Sequence, residues 1–349
     1  MMAADKTFVI LTPGFAASEA DTVCLPALQH FVRGLRDHRP DLNIVILAFQ
    51  YPYNHTTYSW HGATVISYGG RNRGGIVRWH LRRKINAVLR SMNDEANIVG
   101  LLSFWYGECA WVGKRFADTN GIKHYCWIRG QDALSKNRYP AWLRPSGFEL
   151  IALSDTLQRE FERNHGIRPA HVIRPGINGH HFRGNVEKDI DLLAAGSLIP
   201  LKQYDHFIRL IADLASIMPQ LRAVLVGEGK ERRRLHQMIE QYRLQRNVQL
   251  MGELPHPEVL QLMQRSRIFI HPSSYEGFSG VCLEALSAGI PVVSYCQPMN
   301  YAIDNWHIVK SEEDMRGKTL QLLTQPASHR SPSDPFPISE TVSRVMELY

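Results

Sequence analysis

Apolar residues along this chain fall into two rhythms. Short unbroken apolar runs predict buried strands, and longer stretches with a three-to-four repeat predict amphipathic helices. Thr7-Phe8-Val9-Ile10-Leu11 predicts a first strand, stopped by Thr12-Pro13-Gly14-Phe15. A helix follows at about Thr22–Arg36. Asn43–Ala48, Ala63–Tyr68, Ile98–Phe104 and Tyr125–Ile128 predict further strands, with helices at Ile76–Met92 and Glu108–Asp118. Phe148–Leu153 and His171–Ile173 add two more strands around a helix that Ser154 and Asp155 would cap. The alternation resumes with strands at Asp191–Gly196, Ala223–Val226, Val248–Gly252, Arg267–Ile270 and Pro291–Tyr295. Helices fall between them at Asp205–Ile217, Glu231–Tyr242, Pro257–Gln264 and Val281–Ala288. Ser328–Pro337 reads as a Ser/Pro connector and Ser339–Leu348 as a last helix.

Strands alternating with helices predict an α/β protein with parallel, doubly wound sheets. A chain of 349 residues holds two such cores comfortably. The polar turn Asn185–Asp189 marks the expected boundary. That gives residues 1–184 and 185–335 as two domains, with 336–349 as a terminal helix.

Composition narrows the picture slightly. Apolar content is ordinary for a soluble globular protein, and no apolar run reaches the ~20 residues that span a bilayer. The first residues have no signal-peptide layout. Five scattered cysteines lack zinc spacing and read as reduced thiols in a cytoplasmic protein. The net charge of +7 favours an anionic partner. It is concentrated between Arg71 and Arg90, where Arg71, Arg73, Arg78, Arg82, Arg83, Lys84 and Arg90 occur with no acid. This stretch reads as a solvated helix face, as a contact for an anionic membrane surface, or as an acceptor loop. It lacks any recognised nucleic-acid fold, so no nucleic-acid partner is expected.

The chemistry gathers in His271–Tyr295, HPSSYEGFSGVCLEALSAGIPVVSY. A strand, a polar glycine-bearing loop, a short helix and another strand follow one another. In open α/β sheets ligands bind at the carboxyl ends of such strands. Gly277 and Gly280 let backbone approach a ligand closely, and the helix start suits a phosphate. Glu276 lies in the loop and Glu284 in the helix, so both carboxylates are expected to face one ligand.

This stretch closely resembles the E-x₇-E signature of glycosyltransferase family 4, whose members have the GT-B fold. The resemblance implies two Rossmann-like doubly wound domains facing across a cleft, with the last helix crossing back to the first domain. It implies a retaining, metal-independent hexosyl transfer from a nucleotide-diphosphate sugar to a glycan or lipid-linked acceptor. No cofactor and no bound metal are expected; the nucleotide sugar is a co-substrate. Glu276 would meet the sugar hydroxyls and Glu284 the ribose. Gly277, Phe278 and Ser279 would offer backbone N–H groups.

Gly196-Ser197-Leu198-Ile199-Pro200-Leu201-Lys202 resembles the family's G-R-L-x-x-x-K segment, which makes Lys202 the diphosphate lysine. Ser197 stands where the family carries an arginine, a loss of a charge-assisted bidentate contact. Arg129 is the candidate substitute, although many relatives have a histidine at that place. Asp132 would hold Arg129, touch the acceptor, or cap the turn. Gly14 and Phe15 match the glycine loop after the first strand, and Gly227 a turn bordering the donor. Gly252, Glu253 and Leu254 fall where the base is met through backbone. Arg71, Arg73, Arg82, Arg83 and Asp132 are assigned to the acceptor or membrane side, giving a cytoplasmic protein peripheral at the inner membrane face. Asp189 and Asp191 read as solvated turn acids. The departures at Ser197 and Arg129 also support an alternative: a catalytically silent GT-B protein that scaffolds a glycan-assembly complex.

Overall fold

The computed structural model describes residues 6–178, 182, 186–325 and 335–349. In chain order the first part runs β1 (Lys6–Gly14), α1 (Pro26–His38), β2 (Asn43–Tyr51), β3 (His55–Trp60), β4 (Ala63–Tyr68), α2 (Gly75–Glu95) and β5 (Asn97–Phe104). It continues with α3 (Glu108–Asn120), β6 (His124–Ile128), α4 (Tyr139–Leu143), β7 (Leu150–Ala152), α5 (Asp155–His165) and β8 (His171–Val172). The second part runs β9 (Ile190–Ala195), α6 (Tyr204–Ala215), β10 (Ala223–Val226), α7 (Arg232–Gln241), β11 (Val248–Gly252), α8 (His256–Gln264) and β12 (Ser266–His271). Then come α9 (Gly280–Ser287), β13 (Val292–Ser294), β14 (Trp306–Ile308), α10 (Glu312–Thr324) and, last, α11 (Ile338–Met346).

These elements form two compact units, Met1–Gly176 with Ile338–Tyr349, and Ile177–Pro337. The division falls earlier than the polar turn at Asn185–Asp189, whose first residue lies outside the described residues. Asp189 and Asp191 are not free turn acids. Asp189 accepts from Arg265 Nε at 2.8 Å and Asp191 from Arg267 at 3.1 Å. Both pairs pin the start of β9 to the start of β12.

The first unit carries an eight-stranded sheet ordered β3-β4-β2-β1-β5-β6-β7-β8. All neighbours are parallel except β3, which pairs antiparallel with β4. β3 escaped the pattern because His55-Thr56-Thr57-Tyr58-Ser59-Trp60 is a polar edge strand burying only its last side chain. One face is filled from α2 and α3, which turn Leu81, Ile85 and Leu89, and Cys109, Val112 and Phe116, toward Val9, Leu47 and Leu101. α11 joins this unit by packing on α1, where a Cβ at Gly34 would lie 2.9 Å from Ile338. The terminal Tyr349 hydroxyl donates to Leu101 O at 2.6 Å, and its ring meets Phe8 edge-on at 4.8 Å.

The second unit has six parallel strands ordered β11-β10-β9-β12-β13-β14. The chain builds β9, β10 and β11 in one direction, then returns to the other side of β9 for β12 to β14. The strand order therefore reverses between β9 and β12, which is where such sheets open a crevice at their carboxyl ends. α6 buries Phe207, Ile208 and Ile211 against Leu192, Ala194 and Leu225. β14 and α10 had no counterpart in the sequence pattern. No helix among the described residues is long and apolar enough to cross a membrane.

Candidate functional site

At the carboxyl edge of the second sheet, the loops after β9, β10 and β11 stack on one another by backbone hydrogen bonds. Gly196 donates to Val226 O at 3.0 Å, Leu198 to Glu228 O at 2.8 Å, and Gly227 to Gly252 O at 2.8 Å. That closeness requires glycine. A Cβ on Gly227, at φ 142, would stand 1.9 Å from Gly196 O, and one on Gly229 would stand 2.4 Å from Leu198 O. Gly196, Gly227 and Gly252, all singled out from the sequence, thus build the floor of this edge. Glu253 projects into solvent beyond β11, with Leu254 half-buried beside it.

The reversal point carries the charged groups. Lys202, from the loop after β9, forms an ion pair with Glu276, from the loop after β12. The same Glu276 oxygen lies 3.1 Å from His271 Nε2 at the end of β12. A carboxylate only accepts, so that nitrogen carries the proton. His271 is 1% exposed, and its Nδ1 has no hydrogen-bond partner among the described residues. Burial holds its imidazole below the ordinary value and hence neutral. Burial also pushes the Glu276 carboxyl upward, but the His271 hydrogen bond and the Lys202 charge outweigh it and hold it at about 2. The two loops are further tied by Ser274 N and Oγ, which donate to Leu201 O at 3.0 and 3.1 Å.

Glu284, on α9, is hydrogen-bonded to His256 Nε2 at 2.9 Å. Gly277, Phe278 and Ser279 lead into α9 as buried residues, and the Phe278 ring packs on Trp306 at 5.8 Å, leaving only its backbone for a ligand. Gly280, the first residue of α9, has nothing within 4 Å of its Cβ position. The side-chain position of the first helical residue is therefore open. Ser197 is exposed, and Tyr204, at the start of α6, has a buried hydroxyl with no partner among the described residues.

In the first unit, Gly14 ends β1. Phe15 is not placed as expected: its ring is fully buried against Trp60 at 4.8 Å, and its N–H donates to Tyr51 O. It is a core residue, with neither ring nor amide free for a donor. Arg129 follows β6. Asp132 Oδ2 accepts from the Arg129 backbone N–H at 2.7 Å, so this acid caps the turn rather than pairing with the guanidinium. Arg82 is committed to Glu108 at 2.9 Å and to the Tyr139 hydroxyl at 3.2 Å, which removes it from the free basic face. Arg71 stacks on Tyr53 and Arg83 on Trp79, both exposed, and Arg73 is exposed.

A family model described as "Glycosyl transferases group 1" matches residues 178–326. That span is nearly all of the second unit. Over 93 residues the chain is 38% identical to the Schizosaccharomyces pombe phosphatidylinositol N-acetylglucosaminyltransferase gpi3 subunit, covering 27% of this chain and 20% of that relative's length. Sucrose-phosphate synthase from Thermosynechococcus elongatus superposes with TM-score 0.74 at 14% identity, over 99% of this chain and 98% of that one. Anabaena HepE in complex with UDP and glucose superposes with TM-score 0.72 at 16% identity, over 98% of both chains. The fold is GT-B.

Within this GT-B chain, the group 1 match takes in all of β9 to α10, and the glycine floor and the Lys202–Glu276 pair lie inside it. The sequence reading missed three residues of the site: His271, His256 and Tyr204. His271 had a signal, as a histidine at the end of an apolar strand five positions before the loop glutamate. His256 had none, because its partner Glu284 is distant in sequence and reached only through the fold.

Proposed function

We propose that this chain is a retaining, metal-independent glycosyltransferase that moves a hexose-like sugar from a nucleotide-diphosphate donor to a glycan or lipid-linked acceptor. The observation that carries the reading is the Lys202–Glu276–His271 cluster at the strand-order reversal of the group 1 unit. With a donor bound, Lys202 turns its ammonium to the diphosphate, where charge grows as the anomeric C–O bond breaks. Glu276, kept ionised, accepts hydrogen bonds from sugar hydroxyls. The acceptor oxygen forms the new bond to the anomeric carbon on the face the diphosphate leaves, and its proton passes to the departing phosphate oxygen. The start of α9, with open space at Gly280, receives phosphate oxygens on its N–H groups. Glu284 takes the ribose hydroxyls after exchanging its contact with His256.

On the acceptor side, α2 presents exposed Ile76, Val77 and Trp79 beside Arg83, with exposed Arg73 just before the helix. Apolar side chains ringed by cations suit an anionic membrane surface, which fits a lipid-linked acceptor and a cytoplasmic protein peripheral at the inner membrane. The exposed Ser197, with no guanidinium in its place, is what favours the second reading, a silent scaffold.

A thermal-shift panel with UDP, GDP, ADP and CMP, with and without EDTA, separates the two. The transferase reading expects one nucleoside diphosphate to raise the midpoint regardless of EDTA, by mass action. No response to any of them would put the scaffold ahead.

A further inference from the structure

Arg129, at the carboxyl edge of the first sheet, combines partial burial with three aromatic neighbours. Its guanidinium carbon lies 5.1 Å from the Phe104 ring, 5.2 Å from Trp105 and 5.7 Å from Trp127. Phe104 ends β5 and Trp127 lies in β6, so two neighbouring strands hold the cage. Trp105 has φ 70, a left-handed conformation unusual for a bulky residue. Such strain is kept where the surrounding structure gains a placement from it. Here it places the third ring.

Asp132 is near enough for its charge to favour the guanidinium, but its carboxylate is hydrogen-bonded to backbone instead of to the Arg129 side chain. No ion pair or side-chain hydrogen bond from Arg129 is formed among the described residues, and its Nε is buried without a partner. Asp132, its acidic neighbour, is turned to backbone N–H groups of Arg129 and Tyr106. Burial lowers the guanidinium to about 10, so it stays charged at neutral pH. An arginine kept for stability alone is normally paired, because an unpaired, partly desolvated cation is costly. Rings stabilise a cation but leave its hydrogen-bond donors unused. The two terminal nitrogens of arginine form a planar fork that matches a two-oxygen anion.

We propose that Arg129 is an oxyanion-binding residue that takes a carboxylate or phosphate group carried by the acceptor. The acceptor assignment rests on the transferase reading; the anion site stands on the cage alone. It differs from the sequence expectation, in which Arg129 replaces the missing diphosphate arginine at position 197.

The test is a thermal-shift titration with sodium phosphate and with sodium acetate against sodium chloride at equal ionic strength. Wild type, Arg129→Met and Arg129→Lys are compared, each with and without saturating UDP. The proposal expects phosphate or acetate to raise the wild-type midpoint by several degrees, with UDP present or absent. The response disappears in Arg129→Met and shrinks in Arg129→Lys, which keeps the charge without the fork. The phosphate and acetate arms tell the two anion classes apart. Arg129→Met alone is expected to melt no lower than wild type, since an unpaired cation has been removed. Equal responses in wild type and Arg129→Met would overturn the proposal, as would no response to either anion. Loss of the UDP response in Arg129→Met would also overturn it, by assigning the guanidinium to the donor. A UDP response absent from every chain, beside an intact phosphate difference, would count against the donor reading and leave the anion site standing. Should Arg129→Met not fold, an undiminished response in Arg129→Lys would be the overturning result.

Discussion

Lys202 and Glu276 pair across the point where the second sheet reverses its strand order, and His271 shares the same carboxylate oxygen. Each comes from the carboxyl end of a neighbouring strand, β9 or β12. The pair is therefore assembled by topology, with the two residues far apart in sequence. Its side chains are about one-fifth exposed, 19% each, so a ligand can reach what the fold has already set in place.

This pairing makes a prediction about acid stability. The folded Glu276 carboxyl is held at about 2 against an ordinary value near 4.5. A carboxyl depressed on folding stabilises fully above its unfolded value and loses that contribution as pH falls through its folded value. Its share, roughly 1–3 kcal/mol, is expected to vanish between about pH 4.5 and pH 2. Urea midpoints of wild type and Glu276→Gln should converge over that interval. A constant gap from pH 7 to pH 2 would contradict the assignment.

Two glycines are expected to respond in opposite ways to one added methyl. Gly227→Ala forces a Cβ against Gly196 O and a φ of 142, so it should cost roughly 3 kcal/mol or more. Gly280→Ala meets open space at a helix start and should stabilise by about 0.5 kcal/mol. The same methyl would occupy room meant for phosphate, so nucleotide affinity should fall about tenfold, equal to ~1.4 kcal/mol. Unchanged affinity in Gly280→Ala would remove α9 from the phosphate site.

Tyr204 buries a hydroxyl that has no partner, which costs free energy in the folded chain. Tyr204→Phe is expected to raise the urea-unfolding free energy by about 1 kcal/mol. A fall of that size would show that the hydroxyl is satisfied in solution.

The exposed apolar tip of α2 should bind anionic vesicles. Sedimentation with phosphatidylglycerol vesicles is expected to carry the protein down, and phosphatidylcholine vesicles are not. Trp79→Ser should reduce the anionic binding several-fold, and added salt should weaken it. Equal binding to both vesicle types would count against an electrostatic membrane face.

Much of this was legible in the sequence, for physical reasons. The core strands β1, β2, β5, β9 and β12 are unbroken apolar runs because they are buried on both faces, and they bracket the glycine turns. Gly196 and Gly227 stand where the strand–loop turns demand glycine, whereas Lys202 and Glu276 were picked out by the resemblance of their segments to the family signature. β3 was not, since an edge strand of Thr, Tyr and Ser carries little apolar signal. Phe15 was misread because adjacency to a glycine turn does not reveal that its ring turns into the core. Arg82 was misassigned because its partner Glu108 is fixed by packing that no local pattern encodes, and for Asp132 the same packing selects the turn cap from the three roles the sequence left open. His256 and Tyr204 escaped for the same reason.

The most direct test is isothermal titration of UDP, GDP and ADP into wild type and Lys202→Met, with circular dichroism confirming that the variant is folded. The account predicts that one nucleotide binds wild type and that Lys202→Met weakens it at least tenfold. Equal affinity in the two proteins, or no binding of any nucleotide to wild type, would contradict it.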